Sequence, residues 1–166
     1  MEDKSKKLKE LKERLNYIKK LYNINEEGVL ELDNKGRVLL CSIPLDEWHK
    51  RMWEWLAEYG VNEATKQMFI DANFENENAI KYMLWCCGNC FACLYDKIVN
   101  DVNCESCPIC KYDYQNDDEC LNGLFYEYVI TSSKERIKKS NLAKKIAELD
   151  WEWKGMEMGI KNENEK

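Results

Sequence analysis

Eight of the nine cysteines of this 166-residue chain fall between Cys86 and Cys120, in the stretch CCGNCFACLYDKIVNDVNCESCPICKYDYQNDDEC. Cys87, Cys90 and Cys93 are spaced three apart, and Cys104, Cys107 and Cys110 repeat that spacing. Two CxxC knuckles joined by a short loop present four thiolates to one tetrahedral metal ion, for which zinc is the usual occupant. In such a knuckle the turn amides face the sulfurs and offset their charge, and Pro108 stiffens the second one.

The spacing leaves the ligand set open. The register with the shortest loop joins Cys90 and Cys93 to Cys104 and Cys107. A second joins Cys87 and Cys90 to Cys107 and Cys110, and Cys120 can replace any one ligand in either. Zinc is expected over iron, because the ferredoxin run needs a nearby fourth cysteine followed by proline. Here the Cys107-Pro108 pair is remote from the first triplet. Four thiolates leave no open coordination position, so the metal is expected to be structural. No GxxxxGK[ST], GxSxG or HExxH pattern occurs, and no enzymatic activity is expected. An iron–sulfur or thiol-redox protein, using Cys86, Cys87 or Cys110, is the competing reading of the same cysteines.

The compartment bears on this choice. The amino terminus, MEDKSKKLKEL, lacks the apolar region of a signal peptide, and no apolar run approaches the roughly 20 residues of a membrane span. A cytoplasmic location is therefore expected, where thiols stay reduced and clustered cysteines bind metal. The odd total of nine would leave a disulfide framework with one cysteine over. Cys41, remote from the cluster, is expected to be a core residue of a strand.

Around the module the chain reads as helices and one hairpin. Leu8, Leu11, Leu15, Ile18 and Tyr22 recur at steps of three and four, which predicts a helix over 4–22. That seam serves either to pack the helix on its own domain or as a homodimer interface. Residues 28–42 predict a β-hairpin turned at Asp33-Asn34-Lys35-Gly36. Pro44 opens a helix with the stripe Leu45, Trp48, Met52, Trp55, Leu56 and Tyr59, closed by Gly60. His49, the lone histidine, is expected to be a partly packed surface residue. Asn62 caps a short helix to Asp71, and another runs over 76–85. Residues 123–130 are strand or helix. Ser132 with Glu135 makes a capping-box signature for a helix to Leu149, with Leu142, Ile146, Leu149 and Trp153 inward and Lys138, Lys139, Lys144 and Lys145 solvated.

Net charge is −6 and unevenly spread: residues 61–130 are strongly acidic, whereas 1–22 and 131–149 are basic. Nucleic-acid binders carry a basic footprint on their reading surface, and the cysteine module is the opposite.

In order, HKRMWEWLAE at 49–58, NCFACLYD at 89–96, CESCPI at 104–109, CLNGLFYEYV at 120–129 and LAKKIAELDW at 142–151 make the chain resemble a known set of proteins. These are the small, functionally uncharacterised cysteine-rich (CxxC…CxxCP) proteins of bacteriophages and prophages of Gram-positive bacteria. The resemblance covers about two thirds of the chain, from Asp46 to Trp153. It implies Cys90, Cys93, Cys104 and Cys107 as the paired cysteines, with Cys120 a companion. Cys86, Cys87 and Cys110 depart from the pattern.

The expected architecture is α+β and predominantly helical: a small hairpin and helices packed around a zinc-stapled loop module over 86–120. An amphipathic helix spans 1–24, one globular domain spans 25–154, and 155–166 form a flexible tail. The expected function is a phage accessory protein that binds a host macromolecule by protein–protein contact, as an anti-defence inhibitor of the anti-CRISPR type. Nucleic acid is a disfavoured partner, and no membrane is involved.

Overall fold

The computed structural model describes residues 2–60, 64–99, 107–109 and 123–153. Among these, seven helices and one small antiparallel sheet form an α+β fold that is mostly helical. The helices are α1 (Glu2–Leu21), α2 (Leu45–Tyr59), α3 (Lys66–Asn73), α4 (Asn78–Cys86), α5 (Phe91–Val99), α6 (Leu124–Ile130) and α7 (Arg136–Ala147). The strands are β1 (Leu30–Leu32), β2 (Val38–Leu40) and β3 (Ile43–Pro44), in the order β1-β2-β3.

The hairpin forms where its turn chemistry places it, with Leu30 opposite Leu40 and Leu32 opposite Val38. Asp33 organises the turn: its Oδ1 accepts from the amides of Lys35 and Arg37 at 2.9 and 2.8 Å. Gly36 supplies the positive φ of +83° that a side chain would resist. The two-residue β3 was not expected. It follows a tight turn at Cys41 and Ser42, both at positive φ, so Cys41 is exposed and not in the core of a strand.

Helix α1 buries its seam of Leu11, Leu15, Ile18 and Tyr22 against α5 and β1. Arg14 adds a polar tie by donating to the last carbonyls of α5, Lys97 and Ile98, at 3.2 and 3.3 Å. A guanidinium suits these acceptors, because the end of a helix carries partial negative charge. The seam therefore serves its own domain.

Helix α2 is the central element. It buries Leu45, Trp48, His49, Met52, Trp53, Leu56 and Ala57, a stripe turned slightly from the expected one. Trp53 is inward and Tyr59 is 44% exposed. Trp48 fixes α2 to the sheet through an Nε1–H bond to Leu40 O at 2.8 Å. His49 is no surface residue. It is buried and donates from Nε2 to Ile146 O of α7 at 2.9 Å.

Gly60 ends α2 in a right-handed conformation, φ −63°, so a left-handed cap is not its purpose. A Cβ there would collide with the Tyr128 hydroxyl of α6. The glycine answers a close approach between elements.

Three helix starts differ from the sequence reading. Thr65 caps α3 by accepting from the Met68 amide at 3.2 Å, and Asn62 lies outside the described residues. Helix α4 begins at Asn78. Helix α7 begins at Arg136, because Ser132 Oγ accepts from the Lys134 amide at 3.2 Å within a turn instead of closing a capping box. Its inward face is Leu142, Ala143, Ile146 and Ala147, while Leu149, Trp151 and Trp153 pack partly buried beyond its end. The tail over 155–166 lies outside the described residues. No described helix is long and apolar enough to cross a membrane.

Candidate metal and thiol site

The first cysteine triplet sits where α4 turns into α5, and this placement corrects the expectation of a loop module. Phe91, Leu94, Tyr95 and Ile98 recur at helical spacing, and all four are fully buried. The chain over Phe91–Val99 is thus a core helix, a signal present in the sequence beside the cysteines. Phe91 stacks on Trp48 of α2, with ring centroids 6.0 Å apart and planes 19° apart.

The turn itself is built from Cys87-Gly88-Asn89-Cys90. Gly88 and Asn89 are left-handed, at φ +67° and +56°, the two residue types that adopt this conformation most readily. Their amides fold back on α4, with Asn89 N donating to Leu84 O at 2.8 Å. The Asn89 side chain donates to Gln67 Oε1 of α3 at 3.0 Å, which braces the turn from outside.

Cys90 precedes the first residue of α5 and Cys93 lies in its first turn. The backbone amide of Cys93 donates to Cys90 Sγ at 3.3 Å. The Cys93 thiol, the amide groups of Ala92 and Cys93 and the Lys66 ammonium all favour the Cys90 thiolate. Together they outweigh burial and hold its pKa well below the ordinary thiol range. Lys66 was not singled out from the sequence. It reaches the site from α3, donates to Gly88 O at 3.0 Å and lies over the Phe125 ring, 4.6 Å from its centroid.

The neighbouring cysteines differ. Burial pushes the Cys87 thiol up to about 12, against a smaller opposing pull from Lys97. Cys86 is exposed and neighbours Tyr82, whose hydroxyl pKa it raises. Two thiols three residues apart thus prefer opposite protonation states, because one is enclosed by apolar side chains and the other by donors.

Of the second triplet, Cys107 is described and buried. Its segment is held by Pro108 O, which accepts from Glu152 N at 3.0 Å. The flanking Trp151 and Trp153 pack on Tyr95 of α5, at centroid distances of 6.2 and 5.0 Å. This brings the second knuckle's chain to the helix that begins with the first. Cys104, Cys110 and Cys120 lie outside the described residues. Among the described residues, no three His, Cys, Asp or Glu side chains gather to hold a metal ion. His49 is far from a ligand role, since desolvation holds it neutral, with a pKa lowered to about 4.

Comparisons of the chain with protein-family models, with curated proteins and with solved structures found no match.

Proposed function

We propose that the chain is a zinc-stabilised phage or prophage accessory protein that binds a host protein, as an anti-defence inhibitor of the anti-CRISPR type would. The observation that carries the metal half of this reading is the donor-lined Cys90–Cys93 pair at the start of α5. Metal ligation requires thiolates, and this pair has the surroundings that favour one before any ion arrives. Cys87 has the opposite surroundings, which supports the register Cys90, Cys93, Cys104 and Cys107 over the one using Cys87 and Cys110. Cys120 remains the alternate. With four thiolates the ion has no open position, so its role is structural and the protein acts by contact.

The binding half draws on surface composition. Tyr82 and Trp85 of α4 are 58% and 63% exposed and stack on each other, with planes 22° apart. Tyrosine and tryptophan are the residue types enriched at the centres of protein interfaces. The acidic stretch with Asp113, Asp117, Asp118 and Glu119, which lies outside the described residues, would steer the chain toward a basic surface.

Metal analysis of protein purified without added metal tests the first half: about one zinc per chain and no visible colour is the expected result. Iron with sulfide, or no metal, overturns it. Reversing Asp113, Asp117, Asp118 and Glu119 to Lys tests the second, and inhibition unchanged by the reversal counts against it. The alternative is a nucleic-acid-binding zinc protein, favoured by the exposed basic residues Lys134, Arg136, Lys138, Lys144 and Lys145 of α7 and the turn before it. It predicts a gel shift that weakens steeply with salt.

A further inference from the structure

The corner between α6 and α7 projects from the fold. From Val129 to Lys138 every residue is exposed except Thr131. Thr131 anchors the corner: its hydroxyl donates to Glu127 O at 2.6 Å, and its own carbonyl accepts from Lys139 Nζ at 3.3 Å. Val129 and Ile130 on one side of the turn are more than half exposed, and Ile137 on the other side is 80% exposed. Tyr126, also exposed, lies one turn of α6 back from Ile130. Single exposed apolar residues are ordinary, but several on one projecting corner form a patch. Lys134 and Lys138 are exposed within this corner, and Lys144 and Lys145 are exposed further along α7. With Arg136 they outnumber Glu127, Glu135 and Glu148.

The partner must reward both branched aliphatics and lysines. A polynucleotide rewards the lysines, but it is read by hydrogen bonds and by stacking on aromatic rings, to which valine and isoleucine add little. The core of a protein interface favours Tyr, Trp, Met and Arg and is depleted of Lys. An anionic lipid surface rewards both at once. Its headgroups attract ammonium groups, and the boundary below them takes up aliphatic side chains from a projecting element. We infer that the α6–α7 corner docks on an anionic lipid surface. Val129, Ile130 and Ile137 enter the headgroup layer, while the lysine stems lie along them and the ammonium groups meet lipid phosphates. The chain as a whole is acidic, at −6, so this face is the one drawn inward and docking fixes the orientation of the molecule. Such docking needs no spanning helix. It goes beyond the host-protein reading, does not depend on the metal, and departs from the sequence-based expectation that no membrane is involved.

The experiment sediments the full chain with vesicles of phosphatidylcholine and phosphatidylglycerol in equal parts, and with vesicles of phosphatidylcholine alone. Sedimentation with the mixed vesicles only, weakened by added salt, is the expected result. Lys134→Gln with Lys138→Gln should lower partition roughly 25-fold, at about fivefold for each charge near the surface. Ile130→Ser with Ile137→Ser should lower it on the order of tenfold or more. All four side chains are exposed, and far-ultraviolet circular dichroism checks that each variant folds. Leu21→Ser, at an exposed apolar position of α1, should leave partition unchanged. No sedimentation with the mixed vesicles, or equal sedimentation with both kinds, overturns the inference. So does a loss in Leu21→Ser as large as that in the isoleucine variant. A gel shift that needs the lysines but not the isoleucines, without vesicle binding, would make the corner a nucleic-acid surface instead.

Discussion

The Nε2–H of His49 donates to the carbonyl oxygen of Ile146 across 97 positions of sequence, joining α2 to the last turn of α7 at 2.9 Å. The ring is 1% exposed and lies edge-on to Trp151, with centroids 5.7 Å apart. Its Nδ1 and the Trp151 Nε1 have no hydrogen-bond partner among the described residues. A second proton would put a charge in this enclosure.

Stability should therefore fall with acid in a window that His49 defines. Its pKa is about 4 in the fold, against about 6.5 when unfolded, so between those values the unfolded state binds more protons. The contribution is complete above pH 6.5 and is lost as pH falls toward 4, on the order of 3 kcal/mol in all. Urea unfolding from pH 7.5 to 4.5 measures it. His49→Gln, which keeps a donor for Ile146, should remove this component, and a pH profile identical to that of the natural chain would refute the assignment.

If the chain carries the proposed zinc, chelation should loosen the protein without unfolding it. A zinc-finger peptide depends on metal for its fold, with roughly 10 kcal/mol or more of binding energy at neutral pH. Here α5 is also held by Phe91, Leu94, Tyr95 and Ile98, all buried in the main core. After treatment with a strong chelator the melting temperature should drop while most far-ultraviolet helix signal persists at 25 °C. Complete loss of helix would mean that the core cannot stand without the ion.

Phe91→Ala should cost about 3–5 kcal/mol, because it removes a fully buried ring stacked on Trp48 and leaves a cavity between α2 and α5. Chemical denaturation checks the magnitude. Because Phe91 follows Cys90 directly, the same variant should also weaken zinc binding if the proposed Cys90–Cys93 site holds the ion.

Gly60→Ala reverses the usual sign for a residue in a helical conformation. Alanine is ordinarily the better helix former there, yet its Cβ would meet the Tyr128 hydroxyl. The Tyr128 ring is held edge-on to Trp53 and lies under the Lys139 ammonium, so it cannot swing away without loss. A cost of about 1–3 kcal/mol is expected, as for other overpacked sites. In a Tyr128→Phe background the cost should largely vanish, and an additive double mutant would show that the contact is not responsible.

Much of this fold is legible in short stretches. The seam of α1, the Asp33–Gly36 turn and the stripe of α2 depend on backbone period and turn chemistry spanning a few residues, and each appears close to where its residues place it. The CxxC spacing belongs to the same class, since three residues separate neighbours on one helical turn. Sequence and structure part where two local signals overlap. Over Phe91–Val99 the cysteine spacing predicts a loop module while the apolar spacing is helical, and the helix forms because it buries that face. Ser132 and Glu135 match a capping box, but the serine hydroxyl found a nearer amide at Lys134.

By itself the sequence determined which segments coil, where they turn and that paired cysteines lie three apart. Only the tertiary structure decided that His49 is buried and neutral, that Gly60 makes room for Tyr128, and that Lys66 from α3 favours the thiolate of Cys90. The reason is one of range. Helix period and turn geometry arise from neighbours along the chain, whereas burial and local potential depend on which distant faces meet. The same division separates Cys87 from Cys90: equal in pattern, they differ because one is enclosed by hydrocarbon and the other by hydrogen-bond donors.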